Sequence, residues 1–299
     1  MFTGLSAFPL APLHEEKLDE KSLVGLVERL AQAKVDSIGA LGSTGNYAYF
    51  SRGDRRRITE LSVQHADSIP VFVSIGDTRL QQVLRLAEDA QQVGVRALML
   101  APVSYQPLYP DEVYDLYETV TRHISVPLVI YDNPRTTRFE FSVELMQSIA
   151  ALPHVSSIKL GGMTQDMMAM RARIAHLKQG LPSHVSVGVS GDGVAIEGLY
   201  AGCELWYSAL AGLLPQLSLR ILQAVRNNDH AQLSDLSARM QPVWDCFARF
   251  GGGLRTVATL AVLLGRVRSS VLPAPLRLLP VLEQDLLRQW LLDMQELAA

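Results

Sequence analysis

The sequence predicts an α/β protein, a (β/α)8 TIM barrel followed by a C-terminal helical appendage. Three observations predict it. Short apolar, β-branched runs alternate with longer amphipathic segments at a spacing of roughly 25 to 30 residues, the repeat of a βα unit. Eight such runs precede residue 211. Beyond that point only helical periodicity remains. With 299 residues, 48% of them hydrophobic, the chain can bury a large core in one barrel domain plus an appendage, or in two ordinary domains.

The predicted strands, in order, are residues 4–9, 36–41, 71–75, 97–101, 128–131, 155–160, 185–189 and 204–207. The segment after the first carries Leu23, Leu26, Val27 and Leu30 at helical spacing. The third strand follows the turn Ile69-Pro70, and the segment after it repeats the pattern at Val83, Leu84, Ala87 and Ala90. The fifth follows Val126-Pro127 and closes on Tyr131; the sixth contains Lys159. The seventh runs into Ser190-Gly-Asp-Gly193, and the eighth ends on Tyr207, just before Ser208. The appendage shows Leu217, Ile221, Leu222 and Val225, then Leu282, Leu286, Leu287 and Trp290. Its expected breaks are Gly251 to Gly253 and Pro273 to Pro275. The division is therefore 1–211 for the catalytic barrel and 212–299 for the helical region. An open, doubly wound sheet gives a similar alternation, but no Gly-x-Gly-x-x-Gly follows the first strand.

Composition excludes several classes. A net charge of -3 with dispersed lysines and arginines argues against a nucleic-acid surface or a polybasic membrane anchor. The one basic cluster, Arg52 with Arg55, Arg56 and Arg57, lies beside Asp54 and Glu60 and reads as a solvated helix start rather than a phosphate site. Cys203 and Cys246 are far apart, which suits a reducing compartment without disulfides. No basic segment followed by an apolar run opens the chain, and no stretch approaches the ~18 apolar residues of a membrane span. These points predict a cytoplasmic protein that neither binds nucleic acid nor enters a membrane.

In such a barrel, chemistry sits at the C-terminal ends of the strands. Four places there draw attention. Lys159, between Ile158 and Leu160, is costly in a central strand unless paired or neutral. It reads either as a nucleophilic amine or as a lysine that snorkels outward or pairs with a carboxylate. Tyr131, just before Asp132-Asn-Pro134, reads as a phenol that passes protons or as a packed core tyrosine. Gly42-Ser-Thr-Gly45 offers backbone N–H groups and two hydroxyls to a carboxylate, although turns of this composition are common. In Ser190-Gly-Asp-Gly193, Asp192 would bond a hydroxylated substrate or cap the next helix. An amine, a phenol, hydroxyls and an anion turn together suit imine chemistry on a 2-oxo acid.

In their order and spacing, Gly42-Ser-Thr-Gly45, Tyr131-Asp-Asn-Pro134, Ile158-Lys-Leu160 and Ser190-Gly-Asp192 resemble the dihydrodipicolinate synthase and N-acetylneuraminate lyase family. These are class I, pyruvate-type aldolases, and the resemblance covers residues 2–299. It implies that Lys159 forms the Schiff base, that Tyr131 relays protons, and that Ser43 links Tyr131 into the relay. It also implies that Thr44 binds the carboxylate of the oxo acid, and that Gly191, Asp192 and Tyr207 line the pocket around the rest of the substrate. Two departures bear on substrate. Where true dihydrodipicolinate synthases carry an arginine after the Asn-x-Pro turn, this chain has Thr136, with Arg135 and Arg138 beside it. Where the family often has paired tyrosines, this chain has Ser104, and Tyr105 lies one place further on.

The expected function is thus a Schiff-base lyase, aldolase or synthase acting on pyruvate or a related 2-oxo acid, with an aldehyde as a candidate second substrate. The same imine supports a sugar-acid dehydratase. A lysine imine needs no cofactor or metal, and none is expected. A metal-dependent barrel would need ligands at strand ends; His65, His123, His154, His176 and His184 fall on predicted helices or before strands. A catalytically silent oxo-acid-binding barrel is the rival outside enzymology. A homotetramer built as a dimer of dimers is expected by resemblance.

Overall fold

A computed structural model describes residues 2–294 of the chain. Eight parallel strands form a closed barrel. They are β1 (Gly4–Ala7), β2 (Ser37–Ala40), β3 (Val71–Ser74), β4 (Ala97–Leu100), β5 (Leu128–Tyr131), β6 (Val155–Leu160), β7 (Ser186–Ser190) and β8 (Leu205–Ser208). Each strand neighbours the next in chain order, and β8 neighbours β1. The predicted strands all form: β1 to β4 are shorter than expected, β5 and β6 have the expected bounds, and β7 and β8 are shifted by one residue. β7 begins one residue later than expected and ends on Ser190. The near-continuous apolar composition of these strands follows from burial on both faces.

Within this barrel the chain groups into two compact units, one of residues up to Gly4 with Pro70–Tyr207, the other of Leu5–Ile69 with the segment from Ser208 onward. In the first unit, the sheet runs unbroken from β3 to β8. The helix Leu80–Val93 buries Val83, Leu86, Ala87 and Ala90 and ends on Gly94 in the left-handed conformation that glycine favours. Short polar side chains start the next helices. Ser142 accepts from the Leu145 N–H at the head of Val143–Ala150, and Asp166 accepts from Met168 and Ala169 at the head of Met167–Gln179.

In the second unit, β1 pairs with β2 through Ser6↔Ser37 and Ala7↔Ile38. Helix Glu20–Ala33 is capped by Asp19 and buries Leu23, Leu26, Val27 and Leu30, the stripe expected from its spacing. Helix Arg52–His65 begins with a capping box between Ser51 and Asp54. Its basic cluster divides. Arg57 makes two 2.8 Å bonds to Glu20, and Arg56 pairs with Glu60 at the surface. Arg55, expected in solvent, is instead buried, with its guanidinium 5.4 Å from the centre of the Tyr47 ring. A guanidinium is weakly hydrated and stacks on aromatic faces, which a charge pattern alone does not reveal. After β8 come the helices Pro215–Arg226, His230–Arg249, Gly253–Leu263 and Val281–Asp293. The glycine break falls at its expected place, and residues 264–280 around the prolines are non-helical. Pro242 is accommodated inside the longest helix. Residues 295–299 of the expected appendage lie outside the described residues.

Candidate active site

Strand register assembles the centre of the first unit. Tyr131 on β5 pairs with Lys159 on β6, and Lys159 pairs with Gly188 on β7. Paired positions of neighbouring strands project their side chains to the same face. Lys159 is 5% exposed, so it does not snorkel to the surface. Its Nζ lies 4.2 Å from the centre of the Tyr131 ring and 5.8 Å from that of Tyr207.

Electrostatics then set the state of the amine. Burial disfavours the ammonium and draws the Lys159 pKa down from 10.5 to about 7, against a smaller opposing pull from the charge of Asp192. The aromatic faces also favour a cation, but a contact of that kind, worth about 2 kcal/mol when desolvated, does not offset full desolvation. At neutral pH the amine is therefore substantially unprotonated and able to attack a carbonyl.

Tyr131 is itself buried, and its Oη accepts a 2.9 Å hydrogen bond from Asn133 Nδ2. Asp192 is also buried, in the single turn Asp192–Val194 that follows β7, and Gly191 precedes it with φ +127°. Its action on the amine places Asp192 in the same environment as Lys159.

Tyr207 forms a wall of that environment. Its ring packs edge-on against Phe72, 6.2 Å between centres. Its Oη lies 2.7 Å from Ser157 Oγ, and Ser186 Oγ donates to Ser157 at 2.9 Å. Burial raises the Tyr207 phenol above its ordinary range, so it stays protonated at neutral pH. The ring fits because position 188 is glycine: a Cβ there would come within 2.5 Å of Tyr207 Cε2 and 2.7 Å of the Leu205 side chain.

Ser43 and Thr44 belong to the second unit, in the turn that follows β2. The Gly45 N–H donates to the Gly42 carbonyl and the Asn46 N–H to that of Ser43, which folds the turn tightly. Thr44 is buried in it. In the first unit, Ser104 donates to the Gln106 carbonyl of its own loop, and Tyr105 is 93% exposed.

Several neighbours of the site carried no signal of their own. Ser157 and Gly188 matter through the strand opposite, and Asp132 and Gly161 through each other. Asp132 is buried, and its carboxyl is raised to about 6, chiefly by burial, against the Arg173 guanidinium and the Gly161 N–H. Only the motif Tyr131-Asp-Asn-Pro134 pointed near it. Among the described residues, no group of three or more His, Cys, Asp or Glu is placed to hold a metal ion, and no helix is long and apolar enough to cross a membrane.

Comparison with known proteins gives a consistent picture. The model of the dihydrodipicolinate synthetase family matches residues 1–291. The Escherichia coli (strain K12) protein YagE, a candidate 2-dehydro-3-deoxy-D-gluconate aldolase, is 24% identical over 91% of each chain. A 4-hydroxy-tetrahydrodipicolinate synthase of Phenylobacterium zucineum (strain HLK1) is 27% identical over 77% of each. Among solved structures, a dihydrodipicolinate synthase from Agrobacterium tumefaciens (strain C58) superposes with a TM-score of 0.92 at 36% identity, covering 100% of this chain and 98% of its own. The dihydrodipicolinate synthase of Acinetobacter baumannii, solved with pyruvate bound, superposes with a TM-score of 0.87 at 22% identity over 99% of each chain.

Proposed function

The chain belongs to the dihydrodipicolinate synthetase family of class I aldolases and lyases, and from that premise we propose that Lys159 forms a Schiff base with pyruvate or a related 2-oxo acid. The observation that carries the reading is the Lys159 amine, buried beside the Tyr131 ring at the C-terminal end of a barrel strand, with its pKa drawn down to about 7. Neutral Nζ attacks the ketone carbon, the carbonyl π bond opens, and the oxygen takes up a proton. Loss of a proton from nitrogen and of water from carbon leaves the imine, which is protonated again on nitrogen. Tyr131 carries these protons, and Ser43 joins it to the relay.

In this reading Thr44 and the turn amides hold the carboxylate of the oxo acid. Gly191, Asp192 and Tyr207 bound the space around the remainder of the substrate. The protonated imine withdraws electrons from the adjacent carbon. That carbon then either loses a proton and adds to an aldehyde, or keeps the electrons of its bond to a neighbouring carbinol carbon, which gives up its hydroxyl proton and departs as an aldehyde, leaving an enamine on Lys159. Thr136 in place of a carboxylate-binding arginine supports a second substrate other than that of dihydrodipicolinate synthesis. The name of the Escherichia coli relative supports a 2-dehydro-3-deoxy sugar acid as one to try. We take a cytoplasmic dimer of dimers from the same family reading; the exposed Val281, Leu282 and Leu286 of the last helix support an interface.

The test is covalent capture. The protein is incubated with pyruvate and with a panel of 2-oxo and 2-dehydro-3-deoxy sugar acids, reduced with borohydride, and read by intact mass and peptide mapping. An adduct on Lys159, absent from Lys159→Ala, is the expected result. Folded protein that captures no acid of the panel would sink the imine reading in favour of a silent binding barrel.

A further inference from the structure

One guanidinium ties together the chain segments that follow the two central residues. Arg173, on the helix Met167–Gln179, donates from Nη1 to the carbonyls of Gly161 and Gly162, both at 3.0 Å. From Nη2 it donates to Asp132 Oδ2 at 3.2 Å. Gly161 lies two residues beyond Lys159, and Asp132 is the residue after Tyr131. The two segments are joined directly as well. The Asp132 N–H donates to the Lys159 carbonyl at 3.0 Å, and the Gly161 N–H donates to the Asp132 carboxyl. They also approach so closely that a Cβ at Gly161 would collide with the Asp132 carbonyl oxygen.

From this geometry we infer that Arg173 is a positioning residue, whose grip on Asp132, Gly161 and Gly162 holds the ends of β5 and β6 at the spacing that sets the Lys159 amine against the Tyr131 ring. The inference rests on the reading of Lys159 as the nucleophile. A planar guanidinium is suited to the task because it presents several donors in a fixed fork, whereas a lysine ammonium reaches fewer acceptors and holds them less rigidly. The carboxyl of Asp132 orients the fork, and its side chain is 2% exposed against 30% for Arg173. The guanidinium thus reaches inward from the helix to a fixed anchor.

A residue that merely stabilises would alter melting and leave the amine alone. A positioning residue alters the amine. The test follows formation of the pyruvate adduct on Lys159, trapped with cyanoborohydride and quantified by intact mass, in wild type, Arg173→Met and Arg173→Lys across pH 6 to 9. Each protein is first shown to be folded by circular dichroism. Misplacement by about 1 Å lowers such rates by on the order of a hundredfold. Arg173→Met is accordingly expected to lose at least about tenfold in adduct formation at saturating pyruvate. Its pH midpoint moves up from about 7 as water reaches the amine. Asp192, the charged group acting on that amine, is unchanged in both variants. Arg173→Lys restores part of the rate and part of the shift. Folded variants that melt earlier yet keep the wild-type rate and midpoint would overturn the positioning role. Absence of any adduct in wild type would instead bring down the reading of Lys159, and the positioning role with it.

Discussion

Replacing Lys159 with methionine should make the protein more stable, and by an amount that depends on pH. Methionine is close to lysine in length and shape and carries no charge. The fall of the amine from 10.5 to about 7, at about 1.4 kcal/mol per tenfold change in proton affinity, is a cost of about 5 kcal/mol. Below pH 7 folded and unfolded chains both hold the proton, and the whole cost of burying the ammonium is present. Between pH 7 and 10.5 the unfolded chain keeps its proton while the folded chain releases it, so wild-type stability climbs with pH through that window. Above it the cost is gone. Relaxation and water entry lower the measurable part, so Lys159→Met is expected to gain about 3 to 5 kcal/mol at pH 6. The gain shrinks steadily toward pH 10. Urea unfolding followed by tryptophan fluorescence at pH 6, 7.5, 9 and 10 reads it directly. A variant no more stable than wild type at pH 6, or a gap that stays constant across the series, would refute the argument that desolvation keeps this amine neutral.

Three further substitutions follow, two beneath the site and one, in a helix distant along the chain, as a contrast. Asp132 is raised from 3.8 to about 6, so its carboxylate costs stability from pH 6 upward, and that cost fades as pH falls from 6 to 3.8. Asp132→Asn keeps an acceptor for the Gly161 N–H and for Arg173, whose side chain retains access to water. It is expected to gain about 1 to 3 kcal/mol at pH 7.5 and little at pH 4 in urea unfolding; equal effects at both values would contradict the assigned cause. Gly161→Ala is expected to lose about 1 to 3 kcal/mol, because its Cβ meets backbone rather than a yielding side chain. Gly25→Ala, in a helix with nothing within 4 Å of the added carbon, should gain about 0.5 to 1 kcal/mol. A Gly161→Ala protein as stable as wild type would show that the strand ends are not held as described.

Much of this was legible in the sequence because it depends on neighbours along the chain. The eight apolar runs declare strands buried on both faces. Leu23, Leu26, Val27 and Leu30 declare the face that their helix buries. A lysine between Ile158 and Leu160 is conspicuous because an apolar strand makes its charge costly. Features that depend on partners far along the chain were not legible. Ser157 is one serine among many until register sets it beside Tyr207, fifty positions away. Arg173 looks like any basic residue on an amphipathic helix until it is seen to reach Asp132. Arg55 deceived for the opposite reason. Its acidic neighbours in sequence advertise a surface, while an aromatic ring supplies a buried seat.

The glycine opposite Lys159 constrains how this enzyme could change. Position 188 pairs with Lys159 across the strands, and enlarging it is an obvious way to reshape the space beside that amine. Yet even one methyl group collides with the rings and chains of Tyr207 and Leu205. A lineage drifting toward a different substrate must therefore first make room at both 205 and 207, and only then is a change at 188 open to it. The reverse order passes through a chain that folds poorly. History at this site is directional: in any descendant that carries a larger residue 188, the changes at 205 and 207 came first.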